Sequence, residues 1–245
     1  MVNKGEVFIF PDQEEAADFI VKKWKDIAWK AVRERGRFLV ALSGGKTPVI
    51  VYEHLSQLTK DLPWDRTHIF FADERFVPAE DSENNYRLIN IHLLSHVPVP
   101  KERVHNVVTE GVSLEKAAHM YEVHLRRFFF EQGGIPVFDL IMLGIGQDGH
   151  TASLFPGRND HRGEKHLSVP VIADREPDKR ISLTLKVINN AGNIIFFVIG
   201  KGKAGIVKKV VEDRNEAFPA SLVTPAKGVL RYVLDASAAS FLRQY

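Results

Sequence analysis

The sequence predicts an α/β protein, one domain built on a mostly parallel sheet flanked by helices. Three observations carry this expectation. Short, near-continuous apolar runs rich in Phe, Ile, Leu and Val recur from end to end, and amphipathic stretches separate them. No Pro/Ser-rich linker, internal repeat or low-complexity tract divides the 245 residues into units. Strand and helix signals that alternate in this way indicate parallel strands buried on both faces.

Strands are expected at Glu6–Phe10, Phe38–Leu42, His68–Phe71, Phe138–Leu143, Ile194–Ile199 and Tyr232–Leu234, with an added strand at Ile181–Leu185. Between the first two, Ala17, Ile20, Trp24, Ile27, Ala28 and Ala31 recur at helical spacing, with Asp12 as N-cap and Gly36 as the stop. Further helices are expected over Pro48–Gln57, Asn85–Leu94, Leu114–Phe130, Ala204–Glu212 and Ser237–Leu242. Arg158–Lys165 reads as a surface loop, and residues 1–245 as a single domain.

Composition narrows the function classes. Lys and Arg total 33 against 31 Asp and Glu, a balance that does not suggest a dedicated nucleic-acid or membrane-surface protein. The absence of cysteine excludes disulfides, thiolate catalysis and Cys-ligated zinc. No run approaches the ~20 apolar residues of a membrane span, and no leader-length apolar stretch opens the chain. A cytoplasmic enzyme is the expectation.

Three glycine-rich segments follow predicted strands, where open α/β sheets bind ligands. Leu42-Ser43-Gly44-Gly45-Lys46-Thr47-Pro48 ends like a nucleotide-binding P-loop, but Val40 occupies the position of that loop's first glycine. What remains is Ser43, Gly44 and Gly45 between a strand and a helix. This is either an anion cradle of backbone N–H groups or an ordinary turn. Gly144–Gly149 matches a dinucleotide fingerprint, yet Pro156-Gly157 cuts off the helix that it should open. Gly200–Gly205 does lead into a helix, but no acidic residue stands at the distance needed to hold a ribose. Its lysines suit a small anion or are simply solvated.

Two polar clusters also follow strands. Asp148-Gly149-His150 offers a candidate general base with an acid two residues away. Asp73-Glu74-Arg75 offers a group to bind an anion or stabilise an oxyanion, or else an internal salt bridge. His92 and His96 are four apart, but Leu93 stands where a zinc peptidase has its glutamate. His119 and His124 read as amphipathic-helix residues, and Trp24 and Trp29 as helix packing. No Ser lies in a GxSxG elbow.

Together, LSGGKTP, FFADERFVP with DSENNY, FDLIMLGIGQDGHTASLFPG, RISLTLKVINNA, VIGKGKA and FPASLV resemble the 6-phosphogluconolactonases, relatives of the glucosamine-6-phosphate deaminases. The motifs run in order from about residue 40 to 225. The resemblance implies a single Rossmann-like, NagB-like domain hydrolysing 6-phospho-D-glucono-1,5-lactone in the oxidative pentose phosphate pathway. It implies no metal or organic cofactor, a small sugar-phosphate lactone as the partner, no nucleic acid or membrane, and a monomer or weak homodimer. The deaminases follow DGH with Ile-Ala-Phe-Asn-Glu-Pro, whereas here Phe155 stands where that glutamate would be. A sugar-phosphate sensor on a related fold is the other class, and such proteins usually carry a helix-turn-helix. Lys46 and Lys186 depart from the family pattern; Lys46 either adds charge near the phosphate or points to solvent.

The roles implied are as follows. Ser43, Gly44, Gly45 and Thr47 dock the phosphate, and Arg180 and Lys203 add countercharge. His150 activates water, and Asp148 orients His150 or meets substrate hydroxyls. Arg75 stabilises the tetrahedral oxyanion or the bound carboxylate, and Asp73 fixes Arg75 or a sugar hydroxyl.

Overall fold

The apolar run Phe38–Leu42 forms a strand in which all five residues are buried, as a central parallel strand covered on both faces requires. This is a computed structural model and describes residues 5–130, 133–158, 165–174 and 176–244. The strands in chain order are β1 (Glu6–Phe10), β2 (Phe38–Leu42), β3 (Thr67–Phe71), β4 (Asp73–Arg75), β5 (Val104–His105), β6 (Leu140–Leu143), β7 (Ser168–Ile172), β8 (Lys179–Leu183), β9 (Asn193–Val198) and β10 (Val229–Asp235). The helices are α1 (Gln13–Arg35), α2 (Val49–Ser56), α3 (Asn85–His92), α4 (Leu114–Phe128), α5 (Leu185–Ile188) and α6 (Ala204–Val207).

Seven strands form one sheet in the order β1-β10-β9-β6-β2-β3-β5, every pair parallel. The chain runs outward from β2 through β3 to β5 on one side, and from β6 through β9 on the other. The order therefore reverses between β2 and β6, and a crevice opens beyond their carboxyl ends.

α1 explains itself from its sequence. The Asp12 carboxylate accepts from the Glu15 N–H at 3.0 Å, and Gly36 ends the helix at φ 72°. Its buried stripe is Ala16, Ala17, Ile20, Trp24, Ala28 and Ala31, with Ile27 half-buried beside it. Each large apolar side chain buried in this way contributes roughly 1.5–3 kcal/mol. Trp29 departs from the expectation: it is 37% exposed, with its indole N–H on the Asp61 carbonyl.

A second sheet, antiparallel β4-β8-β7, was only partly foreseen. The expected strand Ile181–Leu185 is observed at Lys179–Leu183, while β4 and β7 carried no strand expectation. Ala72 makes the junction: its N–H donates to Leu42 and its carbonyl accepts from Leu183, both at 2.8 Å. The chain thereby leaves the main sheet and Asp73-Glu74-Arg75 begins the small one.

The helix expected over Ser237–Leu242 is a run of turns. The Ser240 hydroxyl donates to the Ser237 carbonyl at 2.8 Å, and the Leu242 N–H reaches Ala239, three residues back. Six residues with competing serines do not support a helical nucleus. The helix expected over Ala204–Glu212 keeps α geometry only to Val207 and continues as a π turn, Lys208–Glu212. The Arg158–Lys165 stretch falls mostly outside the described residues. Among those described, no helix is long and apolar enough to cross a membrane.

Candidate active site

The loops after β2, β6 and β9 and the strands of the small sheet enclose a cavity of about 270 Å3 at the crevice. Ser43, Gly44, Gly45, Thr47, Asp73, Arg75, His150, Arg180 and Lys203 all line it. Asp148 is the one candidate that does not, and it holds His150 from behind. A cavity at the small end of ligand pockets suits a single sugar phosphate rather than a dinucleotide.

Residues Ser43–Pro48 are loop, and α2 begins only at Val49, so the two glycines do not enter the helix directly as the sequence suggested. The amide N–H groups of Gly44, Gly45, Lys46 and Thr47 have no acceptor among the described residues. Gly45 has φ 96°, which an L side chain rarely adopts. Ser43 is buried, and its hydroxyl donates to the Met142 carbonyl at 2.9 Å, so it ties the loop to β6. The fully buried Tyr52, which sequence reasoning missed, donates to the Ser43 carbonyl at 2.6 Å.

His150 follows a tight turn in which the Gly146 N–H donates to the His150 carbonyl at 2.9 Å. Nδ1 of His150 hydrogen-bonds to Oδ1 of Asp148. A carboxylate only accepts, so Nδ1 carries the proton and Nε2 keeps its lone pair. Gly146 is required here, because a Cβ at that position would lie 1.9 Å from Nδ1. After His150 the chain folds back through a Thr151–Leu154 bridge, with Ala152 at φ 47°. This places the Phe155 ring 4.8 Å from the imidazole, with the Arg180 guanidinium 5.6 Å over the same phenyl ring.

Arg75 and Arg180 are directly opposite across β4 and β8. Arg75 donates to the Glu83 carbonyl at 2.9 Å, and its Nε is buried with no partner. Neither Asp73 nor Glu74 makes a side-chain bond to the Arg75 guanidinium, contrary to both the internal-salt-bridge reading and the expectation that Asp73 fixes Arg75. The Asp73 carboxylate instead accepts from the Ser153 hydroxyl at 2.6 Å and lies 3.5 Å from the Asn85 amide nitrogen. Glu74 turns inward and accepts from the N–H groups of Arg75, Asn85 and Tyr86 at 2.6–2.8 Å, anchoring β4 to the start of α3. Burial pushes its carboxyl up to about 7 against the pull of those three donors.

Arg180 is buried and donates from Nε to the Pro177 carbonyl at 3.0 Å. Lys203 donates to the Ile145 carbonyl at 2.6 Å, which brings the β9 loop to the β6 loop. Among the described residues, four cationic side chains line the cavity, Lys46, Arg75, Arg180 and Lys203, against one carboxylate, Asp73. That imbalance favours a dianionic ligand. Among the described residues, no group of three or more His, Asp or Glu side chains is arranged to hold a metal ion.

The profile of the family described as glucosamine-6-phosphate isomerases/6-phosphogluconolactonase matches residues 11–232. Human 6-phosphogluconolactonase is 40% identical over 223 residues, covering 85% of this chain and 82% of its own. The crystal structure of 6-phosphogluconolactonase from Thermotoga maritima is similar at a TM-score of 0.80 and 30% identity, covering 94% of this chain and 99% of that one. A monomeric glucosamine-6-phosphate deaminase reaches a TM-score of 0.81 at 22% identity, covering 97% and 100%. The fold alone therefore does not separate a lactonase from a deaminase.

Proposed function

The chain belongs to the glucosamine-6-phosphate isomerase/6-phosphogluconolactonase family, and we propose that within it the protein is the lactonase. It hydrolyses 6-phospho-D-glucono-1,5-lactone to 6-phospho-D-gluconate. The observation that carries this choice is the Phe155 ring packed against His150. The deaminase pattern has a glutamate at this position, and a phenyl group can neither orient nor relay a proton to the imidazole. The human and Thermotoga relatives described above bear the same activity in their names.

The phosphate, at about −1.5 to −2 charge, docks on the amides of Gly44, Gly45 and Thr47 in the loop tied down by Ser43. Arg180 and Lys203 supply countercharge. The ring then spans the crevice, with C1 towards His150 and Arg75. Nε2 of His150 takes a proton from water as the water oxygen bonds to C1. The negative charge passes to the carbonyl oxygen, where Arg75 stabilises it. As the tetrahedral intermediate collapses, the bond from C1 to the ring oxygen breaks and the proton on Nε2 passes to that oxygen. One lactone and one water yield the open-chain acid, which ionises to the carboxylate. Asp148 holds Nδ1–H throughout and stabilises the imidazolium, as a carboxylate does in a hydrolase triad. Asp73, fixed by Ser153 and Asn85, is placed to accept from a sugar hydroxyl.

The test is the rate of hydrolysis of freshly made lactone, measured against its spontaneous hydrolysis, with glucosamine 6-phosphate in parallel. Turnover of the lactone and no ammonia release is the expected outcome. Ammonia release without lactone turnover overturns the assignment.

A further inference from the structure

We propose that Asn85 is a positioning residue that couples the phosphate loop at Gly44 to the Asp73 carboxylate, so that phosphate seating and carboxylate orientation are set together. The proposal rests on the lactonase reading for what the site does, but its geometry stands on its own. Asn85 is the first residue of α3 and is completely buried. A primary amide in that position is costly unless its polar atoms are used. Its Nδ2 donates to the Asp73 carbonyl at 2.9 Å and lies 3.5 Å from Asp73 Oδ1. Its main-chain N–H is pinned to Glu74 at 2.6 Å.

The two acceptors on Asp73 fix which way the amide faces. Turned over, Asn85 would put its carbonyl oxygen against two other oxygens. Oδ1 is therefore directed at Gly44, where it is buried and has no hydrogen-bond donor. Such an orphan acceptor in a folded core calls for a reason. The reason lies in the contact. A Cβ on Gly44 would stand 1.8 Å from Oδ1 and 2.3 Å from Cγ of Asn85. The loop backbone thus rests on the amide in the space that a side chain would fill.

Gly44, unlike Gly45, is not in the left-handed region, and the three atoms nearest to an added Cβ all belong to Asn85, so it is the Asn85 side chain that first bars an alanine there. The loop cannot sink without displacing Asn85, and Asn85 cannot move without releasing Asp73. The other Asp73 oxygen is held by Ser153, which belongs to the hairpin that presents His150. One line, from half-buried Gly44 through the buried Asn85, Asp73 and Ser153, joins the phosphate end of the cavity to the hydrolytic end.

The test is a double-mutant cycle with Gly44→Ala, Asn85→Ala and the pair. It is read by calorimetric binding of inorganic phosphate and of 6-phosphogluconate, and by kcat and KM on the lactone. Gly44→Ala alone should weaken phosphate binding and lower kcat, each about 10-fold, because its methyl drives Asn85 off Asp73. In the Asn85→Ala background the same methyl should cost less than about 2-fold, since the obstructing atoms are gone. Equal penalties in both backgrounds overturn the proposal. Asn85→Leu keeps the bulk under the loop and loses the amide, so kcat should fall while phosphate affinity holds; a loss in phosphate affinity equal to that in kcat also overturns it. If Asn85→Ala does not fold, as judged by circular dichroism, Asn85→Ser takes its place in the cycle. A wild type that binds phosphate with a non-additive cycle yet turns over no lactone overturns the lactonase reading and leaves the coupling standing.

Discussion

Two groups of histidines on this molecule keep opposite electrostatic company. His150 has a carboxylate on Nδ1 and the cavity before it. His68, His105 and His124, where β3, β5 and α4 meet, have arginines instead. Arg103 donates to His68 Nε2 at 2.9 Å, His68 Nδ1 meets His105 Nε2 at 3.0 Å, and His105 Nδ1 meets His124 Nε2 at 2.9 Å. A guanidinium only donates, so it fixes every tautomer along the chain: each ring carries its proton on Nδ1 and accepts on Nε2. The His105 ring stacks 4.1 Å over Phe70, and the Arg37 guanidinium lies 5.3 Å over Phe128 beside them. Burial, with Arg103 and Arg37 behind it, holds His68 down to about 4. Burial and the neighbouring histidines hold His105 down to about 3. The tautomer is the same in both places; the partner decides its use. A carboxylate stabilises the imidazolium that water activation creates, whereas arginines oppose it.

The comparison breaks most visibly at His150. His150→Ala should lower kcat by about 10²–10⁴-fold, the usual worth of a general base, with an unchanged far-UV circular dichroism spectrum. Turnover near the wild-type rate would remove His150 from the chemistry. Asp148→Asn should come next, at on the order of 10²-fold in kcat with KM little changed. An amide can donate to Nδ1 and so push the proton onto Nε2, where the base needs a lone pair. If that variant retains full kcat, the carboxylate serves only to hold the loop.

Countercharge at the other end of the cavity should show a smaller and different effect. Lys203→Ala removes a cation that the Ile145 carbonyl holds at the cavity wall. KM should rise about 10-fold with kcat nearly intact, as for one charge-assisted hydrogen bond to phosphate. An unchanged KM would take Lys203 out of the phosphate site.

Most of the residues that meet at the cavity could be read from the sequence because they stand just past a short apolar run or in a glycine loop; Arg180, which precedes the run Ile181–Leu185, came only from the family resemblance. The parallel sheet followed for the same reason, since β2, β6 and β9 are almost wholly buried. What could not be read is how the site is braced. Asp73-Glu74-Arg75 has too few residues to show a period, so β4 leaves no mark in the sequence; of the small sheet only β8 does, as the run Ile181–Leu185, and it is Ala72 that switches the chain between sheets. Ser153 and Asn85 lie 80 and 12 residues from Asp73, and no local pattern links them. Asn85 falls within DSENNY, and that motif is its one signal in the sequence. His124 looked like an ordinary helix-surface residue because its partner, His105, comes from the edge strand β5.

The smallest effect concerns the arginine-held histidines, where stability rather than catalysis should respond. In the unfolded chain these rings titrate at the ordinary value of 6.5, and in the folded chain His68 and His105 do so near 4 and 3. Below about pH 6.5 the unfolded state therefore binds protons that the folded state refuses, and stability falls as pH drops. That loss continues down through the folded values, while above 6.5 the two states bind alike and nothing is lost. Both rings are partly open to solvent, so the effect is a shift of a few °C in thermal midpoint between pH 7 and 5 rather than unfolding. Glu74, whose carboxyl burial pushes up to about 7, takes up a proton in the same range and acts in the opposite sense, and His105→Phe separates the contributions. It keeps the stack on Phe70 and interrupts the chain, so the midpoint of that variant should depend less steeply on pH than the wild type's, with lactone turnover at pH 7 unaltered. Parallel midpoint curves for the two proteins would show that the cluster does not resist protonation. A fall in turnover would show that the two groups of histidines are not as separate as their surroundings make them.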